Sequence, residues 1–529
     1  MTNFNSRSKI VSVGTVIVIG SALVISACSN SGNSFGANSF GANSPQSGLP
    51  KSETKENLEL LEQTKALLDA GKPEQATKVI EKMLVNDPNS ANAHHCLGYI
   101  YHLADKQDKA IAEYTRAIEI KPQEADSWHA RGESYMSKKL FEQAAMDYSK
   151  ALMISPAYHT WYRRSCAYIE QSFYEKAIAD AKQSIALNPK YAPPYLIKVS
   201  AERKLGLNSE AEADLLAAKS LNITNGYELG LRSEFLWEDG DPEGAAKDYT
   251  AIIDSQPKNS GWFYSRARCY LALEKVKEAR ADFDLANKYE PNNDWYSDWI
   301  ETVDDLEYDL SHRVRTPAQQ WALACSAQLF AANGHGLHSL SGRALTEANK
   351  LSAKESIERW WQITSREDLL NQLQDLNSDG GHDGLWQSYR RIKRGELRPE
   401  QTEDVARDLL RGHFKERMAV IDEYGDAFGD RGLCAWDLCR YINLVRRGYL
   451  LGLVSEKEAY SLMMPVAIKI QKKYSSWEQM NEEYLIGRRF WSYKEWKDDI
   501  ARTNRITKLL LTQKTSPWVT LPWKTKLDN

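Results

Sequence analysis

Residues 91–122 read ANAHHCLGYIYHLADKQDKAIAEYTRAIEIKP, and residues 125–156 read ADSWHARGESYMSKKLFEQAAMDYSKALMISP. Set one above the other, they align Gly98 with Gly132, Tyr101 with Tyr135, Ala110 with Ala144, Tyr114 with Tyr148 and Pro122 with Pro156, each pair 34 residues apart. Prolines carry the count outward to 88, 189, 257 and 291, with gaps of 34, 34, 33, 68 and 34 along the series. The long gap is two periods. A helical unit of this length leaves one apolar face bare, so neighbouring copies must stack to bury it. The period therefore predicts an all-α array.

Counting back from each proline position, the small residue of the second helix is Ala76, Ala110, Ala144, Ala177, Ala211, Ala245 and Ala279. Four residues further on stand Ile80, Tyr114, Tyr148, Ala181, Leu215, Tyr249 and Phe283. Small side chains let helix backbones approach, and Gly98 and Gly132 do the same in the first helix. One unit departs, with Val199 in the glycine position and Ile223 in the proline position. The array is expected to bend or loosen there.

Over residues 57–293, in seven units, this pattern resembles the tetratricopeptide repeat family. The resemblance implies an α-α superhelix whose inner helices line a groove for an extended or helical segment of another protein. Mapped by register, the groove comprises Asn92, His95, Tyr99, His102, His129, Glu133, Met136, His159, Tyr162, Arg203, Glu234, Trp237, Tyr264 and Arg268. It is aromatic with mixed charge. The run of Lys and Asn that clamps a C-terminal carboxylate in chaperone-binding members is missing, so a chaperone tail is not the expected ligand.

Four of these positions are histidines. His95 and His129 hold the same register in adjacent repeats, separated by the ~10 Å of a helix-pair stack, too far to share a zinc with bonds of ~2 Å. No metal or cofactor is expected. Protonation of these histidines near about pH 6 is expected to tune partner affinity.

The chain has 529 residues, 42% hydrophobic and 26% charged, with Lys+Arg 68 against Asp+Glu 72. That balance gives no positive field for nucleic acid. Arg7 and Lys9 precede an apolar run from Ile10 to Ile25, a signal-peptide layout. Its end, Ile25-Ser26-Ala27-Cys28, resembles the lipobox of bacterial lipoproteins. The resemblance implies that residues 1–27 are removed, that Cys28 carries the lipid, and that the chain is exported and anchored to the cell envelope. Ser29 rather than Asp after the cysteine implies the outer membrane, facing the periplasm, in a Gram-negative host. An uncleaved membrane helix over residues 10–27 is the competing reading. Residues 28–56, with Asn-Ser-Phe-Gly-Ala at 33–37 and again at 38–42, read as a flexible tether.

Beyond about residue 295 the period stops, and twelve of the 16 tryptophans lie there. Residues 294–316 are expected to form a capping helix and linker, 317–500 a Trp-rich helical domain, and 501–529 a C-terminal tail. Ser352 with Glu355, Ser365 with Asp368, Ser455 with Glu458 and Ser475 with Glu478 read as capping boxes, and Thr316-Pro317 as a further helix start. The stretches Trp360-Trp361-Gln362-Ile363-Thr364-Ser365-Arg366-Glu367-Asp368, Gly381-His382, Ala435-Trp436-Asp437-Leu438-Cys439-Arg440, Gly448-Tyr449, and Tyr484-Leu485-Ile486-Gly487-Arg488 occur in that order. They resemble the family called domain of unknown function 1266 over about 317–495, which implies no particular activity. His382, Asp437 and Arg440 are the residue types an acid/base or anion site would use. Each also has a quieter reading: Asp437 and Arg440 stand i,i+3 on one helix face and would pair, and His382 follows two glycines and would close a turn. No nucleophile elbow, P-loop or metalloprotease spacing is present. The six cysteines beyond Cys28 read as buried small hydrophobes, with the partner of Cys325 left open.

The sequence thus points to a scaffold that holds a protein partner, with an enzyme of unknown reaction as the alternative. A third arrangement has the repeats covering their own C-terminal domain. The exposure of Trp237 and Tyr264 decides it.

Overall fold

The structure, a computed structural model, describes residues 55–291, 294–378, 382–428, 432–491 and 496–527, and every regular element among them is helical. The apolar run at 10–27, Cys28, the tether as far as residue 54 and Gly381 lie outside the described residues, while Lys55 and Glu56, expected in the tether, begin the first helix. Two compact units share the described residues, one ending at Phe235 and the other starting at Leu236.

The first unit is built from antiparallel helix pairs: Lys55–Asp69 with Pro73–Asn86, Ala91–Leu103 with Gln107–Ile120, Ala125–Ser137 with Phe141–Ile154, Tyr158–Glu170 with Tyr174–Leu187, and Pro193–Lys204 with Asn208–Ser220. The periodic prolines stop the second helices. Helices ending at 86, 120, 154 and 187 are each followed two residues later by Pro88, Pro122, Pro156 and Pro189, which cannot continue the ladder. The periodic alanines sit at the crossings, and Ala76, Ala110, Ala144, Ala177 and Ala211 have no solvent exposure. Gly98 is needed for the same approach, because a Cβ there would stand 2.8 Å from the Tyr114 ring.

Each turn between paired helices holds one residue in the left-handed region, at Gly71, Asp105, Lys139, Ser172 and Gly206, and in the second unit at Gly240 and Glu274. Three of the seven are glycine. A second periodic device is electrostatic. Arg131 donates to both Asp147 carboxylate oxygens at 2.7 and 2.9 Å and to Thr115 Oγ1 at 2.9 Å. Arg164 repeats this with Asp180 at 2.7 and 2.9 Å and Ser149 Oγ at 2.9 Å. Each fork ties the two helices of one repeat to the second helix of the repeat before it. The unit with Val199 and Ile223 behaves differently. Val199 is fully buried, Lys198 replaces the arginine opposite Asp214, and residues 221–225 leave the helical state before the helix Gly226–Glu238 begins.

The second unit opens with the pairing of Pro242–Ser255, Ser260–Ala272 and Val276–Tyr289, where Arg266 again forks onto Asp282 at 2.7 Å. Helix Asp294–Ser311 follows, with Trp299 stacked on Phe283. The rest forms one aromatic core around the helix Cys434–Leu450. Gly487 admits the Trp436 side chain, since a Cβ there would meet it at 2.4 Å.

Three expectations change. Residues 501–529 are not a tail: helix Trp496–Thr512 crosses the 500/501 boundary, and Trp518 beyond it is buried and stacked on Trp477 at 5.8 Å. Its indole N–H donates to Ala324 O at 2.9 Å, so this end of the chain closes the core. Ser352 starts no helix, because Thr346 caps Glu347–Trp361 and leaves Ser352 inside it. The helix Trp477–Trp491 is capped by Ser476, whose Oγ accepts from Gln479 N, one residue from the expected register. Ser365 with Asp368 forms the full reciprocal box. Cys96, Cys166, Cys269, Cys325, Cys434 and Cys439 are buried and none is in a disulfide. No helix among the described residues is long and apolar enough to cross a membrane.

Candidate partner-binding surface

In the first unit the register-mapped side chains fall into two groups. One group is spent on holding repeats together. His95 Nδ1 is 3.0 Å from Ser127 Oγ, His102 Nδ1 is 3.1 Å from Ser134 Oγ, and His129 Nδ1 is 3.1 Å from Thr160 Oγ1. Each bond joins the first helix of one repeat to the first helix of the next. Glu133 accepts from Tyr148 OH at 2.5 Å and is gripped by Arg163, so its carboxylate is an internal strut. Met136 and Tyr162 are buried. Those two are corrections to the placement as open groove residues, whereas His95, His102, His129 and Glu133 are half-buried and reach across to the next repeat.

The remaining mapped positions are also reached by solvent. His159 is exposed, with its ring edge against His129 at 5.0 Å. Asn92, Tyr99, Arg203 and Glu234 are half-buried, and Arg203 pairs with Glu212 at 2.9 Å.

Burial is the main influence on the histidines. It lowers His95, His102 and His129 from the usual imidazole value, most for His129, where His159, Arg163 and His95 add to it. Asp126 opposes the shift at His95. Their protonation therefore moves below the pH expected from sequence. Among the described residues no group of His, Cys, Asp and Glu is arranged to hold a metal.

The second unit treats its mapped residues differently. Trp237 is 9% exposed. The guanidinium of Arg268 lies 4.7 Å from its ring centre and that of Arg505, on helix Trp496–Thr512, lies 4.8 Å from it. Arg505 also pairs with Glu238 at 2.8 Å, and Lys508 with Asp239 at 2.7 Å. Tyr264 is half-buried, edge-on to Trp299 at 5.8 Å. Here the repeat face is covered by the chain's own C-terminal helix.

Two of the residues considered for catalysis, Asp437 and Arg440, face each other on one helix and are largely enclosed. Asp437 is buried, and its carboxylate lies 3.6 Å from Arg440. The Arg440 guanidinium sits 4.3 Å from the Trp361 ring and 4.7 Å from the Trp436 ring, and burial lowers it to about 10. The side chain of His382 lies outside the described residues.

The stacked helix pairs, with alanine and glycine at their crossings, have the architecture of tetratricopeptide repeats. Residues 61–125, 125–158, 158–191 and 236–292 match the tetratricopeptide repeat family. The stretch between 191 and 236, which holds Val199 and Ile223, lies outside those matches. Residues 356–523 match the family described as protein of unknown function (DUF1266), so the chain joins repeats to a DUF1266 domain. Two Escherichia coli (strain K12) proteins, each described as uncharacterised, are similar over part of the chain. YbeU is 25% identical over 150 residues, 28% of this chain and 61% of its own length. YbeR is 27% identical over 146 residues, 26% of this chain and 56% of its own. The chain thus spans about three fifths of the length of these relatives. Among solved structures, a tetratricopeptide repeat protein from Parabacteroides merdae aligns at 20% identity and a TM-score of 0.35, covering 46% of this chain and 97% of that one. The type IV pilus biogenesis factor PilW aligns at 19% identity and a TM-score of 0.33, covering 39% and 96%.

Proposed function

We propose that this chain is a lipid-anchored scaffold of the bacterial envelope that holds a segment of a partner protein on the inner-helix face of its first unit. The observation that carries the reading is the contrast between the two faces. Trp237 is covered by Arg505, whereas His159 is exposed and Asn92, Tyr99 and Arg203 keep solvent access. An accessible face of imidazole, phenol, amide and guanidinium suits a polypeptide with mixed charge and aromatic side chains. Tetratricopeptide repeats supply the rigid, preorganised surface such a guest needs. Cys28 and the Ser/Asn/Gly-rich stretch after it supply attachment and reach.

Two measurements separate the parts of this reading. For the anchor, mass spectrometry of the chain extracted from cell membranes should find residues 1–27 removed and an acyl-bearing Cys28. An intact leader or a bare Cys28 contradicts lipidation. For the surface, crosslinked pull-down from cells should recover a partner with the native chain and lose it with Tyr99→Ala combined with His159→Ala. Equal recovery by both removes the proposed face.

A further inference from the structure

Loop 333–346 packs against the helix Cys434–Leu450, and two consecutive arginines of that helix meet it in opposite ways. Arg446 is sealed and saturated. It donates to Leu340 O at 3.1 Å, Ser326 Oγ at 3.1 Å, Gly336 O at 3.2 Å and Ser339 O at 2.9 Å, with its guanidinium 3.3 Å from the Phe330 ring centre. Asp309 is its counter-charge, and accepts in turn from Ser339 N at 2.7 Å and Ser339 Oγ at 2.6 Å. Arg446 pins the loop.

Arg447 is not saturated. Among the described residues its one side-chain partner is His335, with the guanidinium N–H 3.5 Å from Nε2. Its own Nε is buried with no acceptor. If His335 accepts on Nε2, its proton sits on Nδ1, and that atom too is buried with no partner. Two neighbouring N–H donors therefore lack an acceptor, a costly state for buried polar groups. Arg343 adds a third positive group. Its Nε is bonded to Asp305 at 2.8 Å, and Asp305 also accepts from Ala344 N at 3.0 Å and Asn349 Nδ2 at 2.7 Å. The nearby acids are thus occupied. The electrostatics agree: burial and Arg343 push Arg447 down to about 10, and burial with Arg447, Arg343 and Arg446 pushes His335 well below its usual value. No carboxylate counts among the groups acting on either residue.

We propose that His335, Arg343 and Arg447 form a binding site for an oxyanion, the phosphate or carboxylate group of a small ligand. The bound oxyanion accepts from Arg447 Nε and His335 Nδ1 and supplies the negative charge this basic cluster lacks. Its arrival also favours the imidazolium, so binding draws a proton onto His335. The site belongs to the C-terminal part of the chain and does not depend on the scaffold reading.

Calorimetric titration of the full chain with inorganic phosphate, and separately with acetate, tests this in low-chloride buffers of two different ionisation enthalpies. We expect saturable binding of at least one anion with net proton uptake. Phosphate alone binding assigns a phosphate ligand, and acetate alone assigns a carboxylate. Arg447→Gln, checked for fold by circular dichroism, should weaken binding roughly tenfold or more. His335→Gln should abolish the proton uptake. Absence of saturable binding by either anion, or undiminished binding in Arg447→Gln, overturns the site. Should that variant fail to fold, the native chain decides: binding without proton uptake overturns it as well.

Discussion

The Arg505 guanidinium lies 4.8 Å from the centre of the Trp237 ring, and through this contact the C-terminal helix occupies a repeat face that register alone marks as open to a guest. Flanking ion pairs from Arg505 to Glu238 and from Lys508 to Asp239 set the register of that helix. Replacing both basic residues in Arg505→Ala with Lys508→Ala removes a desolvated cation–π contact and two partly buried pairs, about 1–3 kcal/mol together. Hydrogen exchange should then quicken in peptides covering 236–241 and stay unchanged in those covering 125–154. Equal protection in both proteins would show that the cover is held by something else.

Gly132→Ala is expected to destabilise the first unit. The added Cβ would stand 2.7 Å from the Tyr148 ring, which is fully buried and has no room to retreat. Overpacking of this kind costs about 1–3 kcal/mol. Denaturant unfolding of the two proteins measures it, and an unchanged midpoint contradicts the close crossing.

Ser172→Gly should act in the opposite direction. Ser172 holds φ at 60° in an exposed turn between paired helices, where glycine carries no Cβ penalty. The gain should be about 0.5–1 kcal/mol, net of the extra freedom glycine has when unfolded. A lower thermal midpoint would contradict the assignment of the turn.

Acid should loosen the first unit. His95, His102 and His129 are all lowered, chiefly by burial, so each binds its proton more readily when unfolded than when folded. For a lowered histidine the stabilising contribution is full above about pH 6.5 and is lost as pH falls through the folded value. Thermal midpoints followed from about pH 7.5 to about pH 5 should therefore fall, and His129→Gln should make the fall shallower. A midpoint that rises on acidification, or an unchanged slope in the variant, contradicts this sign.

Much of the repeat architecture is legible from spacing. Ala110, Gly98 and Pro122 each perform the task their position implies: a crossing, a close approach and a stop. Their jobs are local, so a one-dimensional pattern carries them. The Arg131–Asp147 and Arg164–Asp180 forks also have a sequence signal, a basic and an acidic residue 16 apart in successive repeats, but it means something only once paired helices face each other. The cover over Trp237 has no such signal. Glu238 and Arg505 are 267 residues apart, and nothing in either stretch names the other. The bonds made by the inward histidines lack a sequence signal for a related reason. Their register is right, but their distance to Ser127 and Thr160 in the next repeat is set by how tightly the repeats stack. Likewise, the shortage of acceptors around Arg447 and His335 shows only when every neighbouring acid has been accounted for in space.

The most direct test of the scaffold reading is site-specific photo-crosslinking in cells that make the full chain. A photoreactive residue at position 99 samples the inner-helix face, and one at Lys182, exposed on the second helix of its pair, samples the outer surface. The account predicts one discrete polypeptide adduct from position 99, lost when His159→Ala is added, and none of that size from position 182. The same adducts from both positions, or none from position 99, would contradict it.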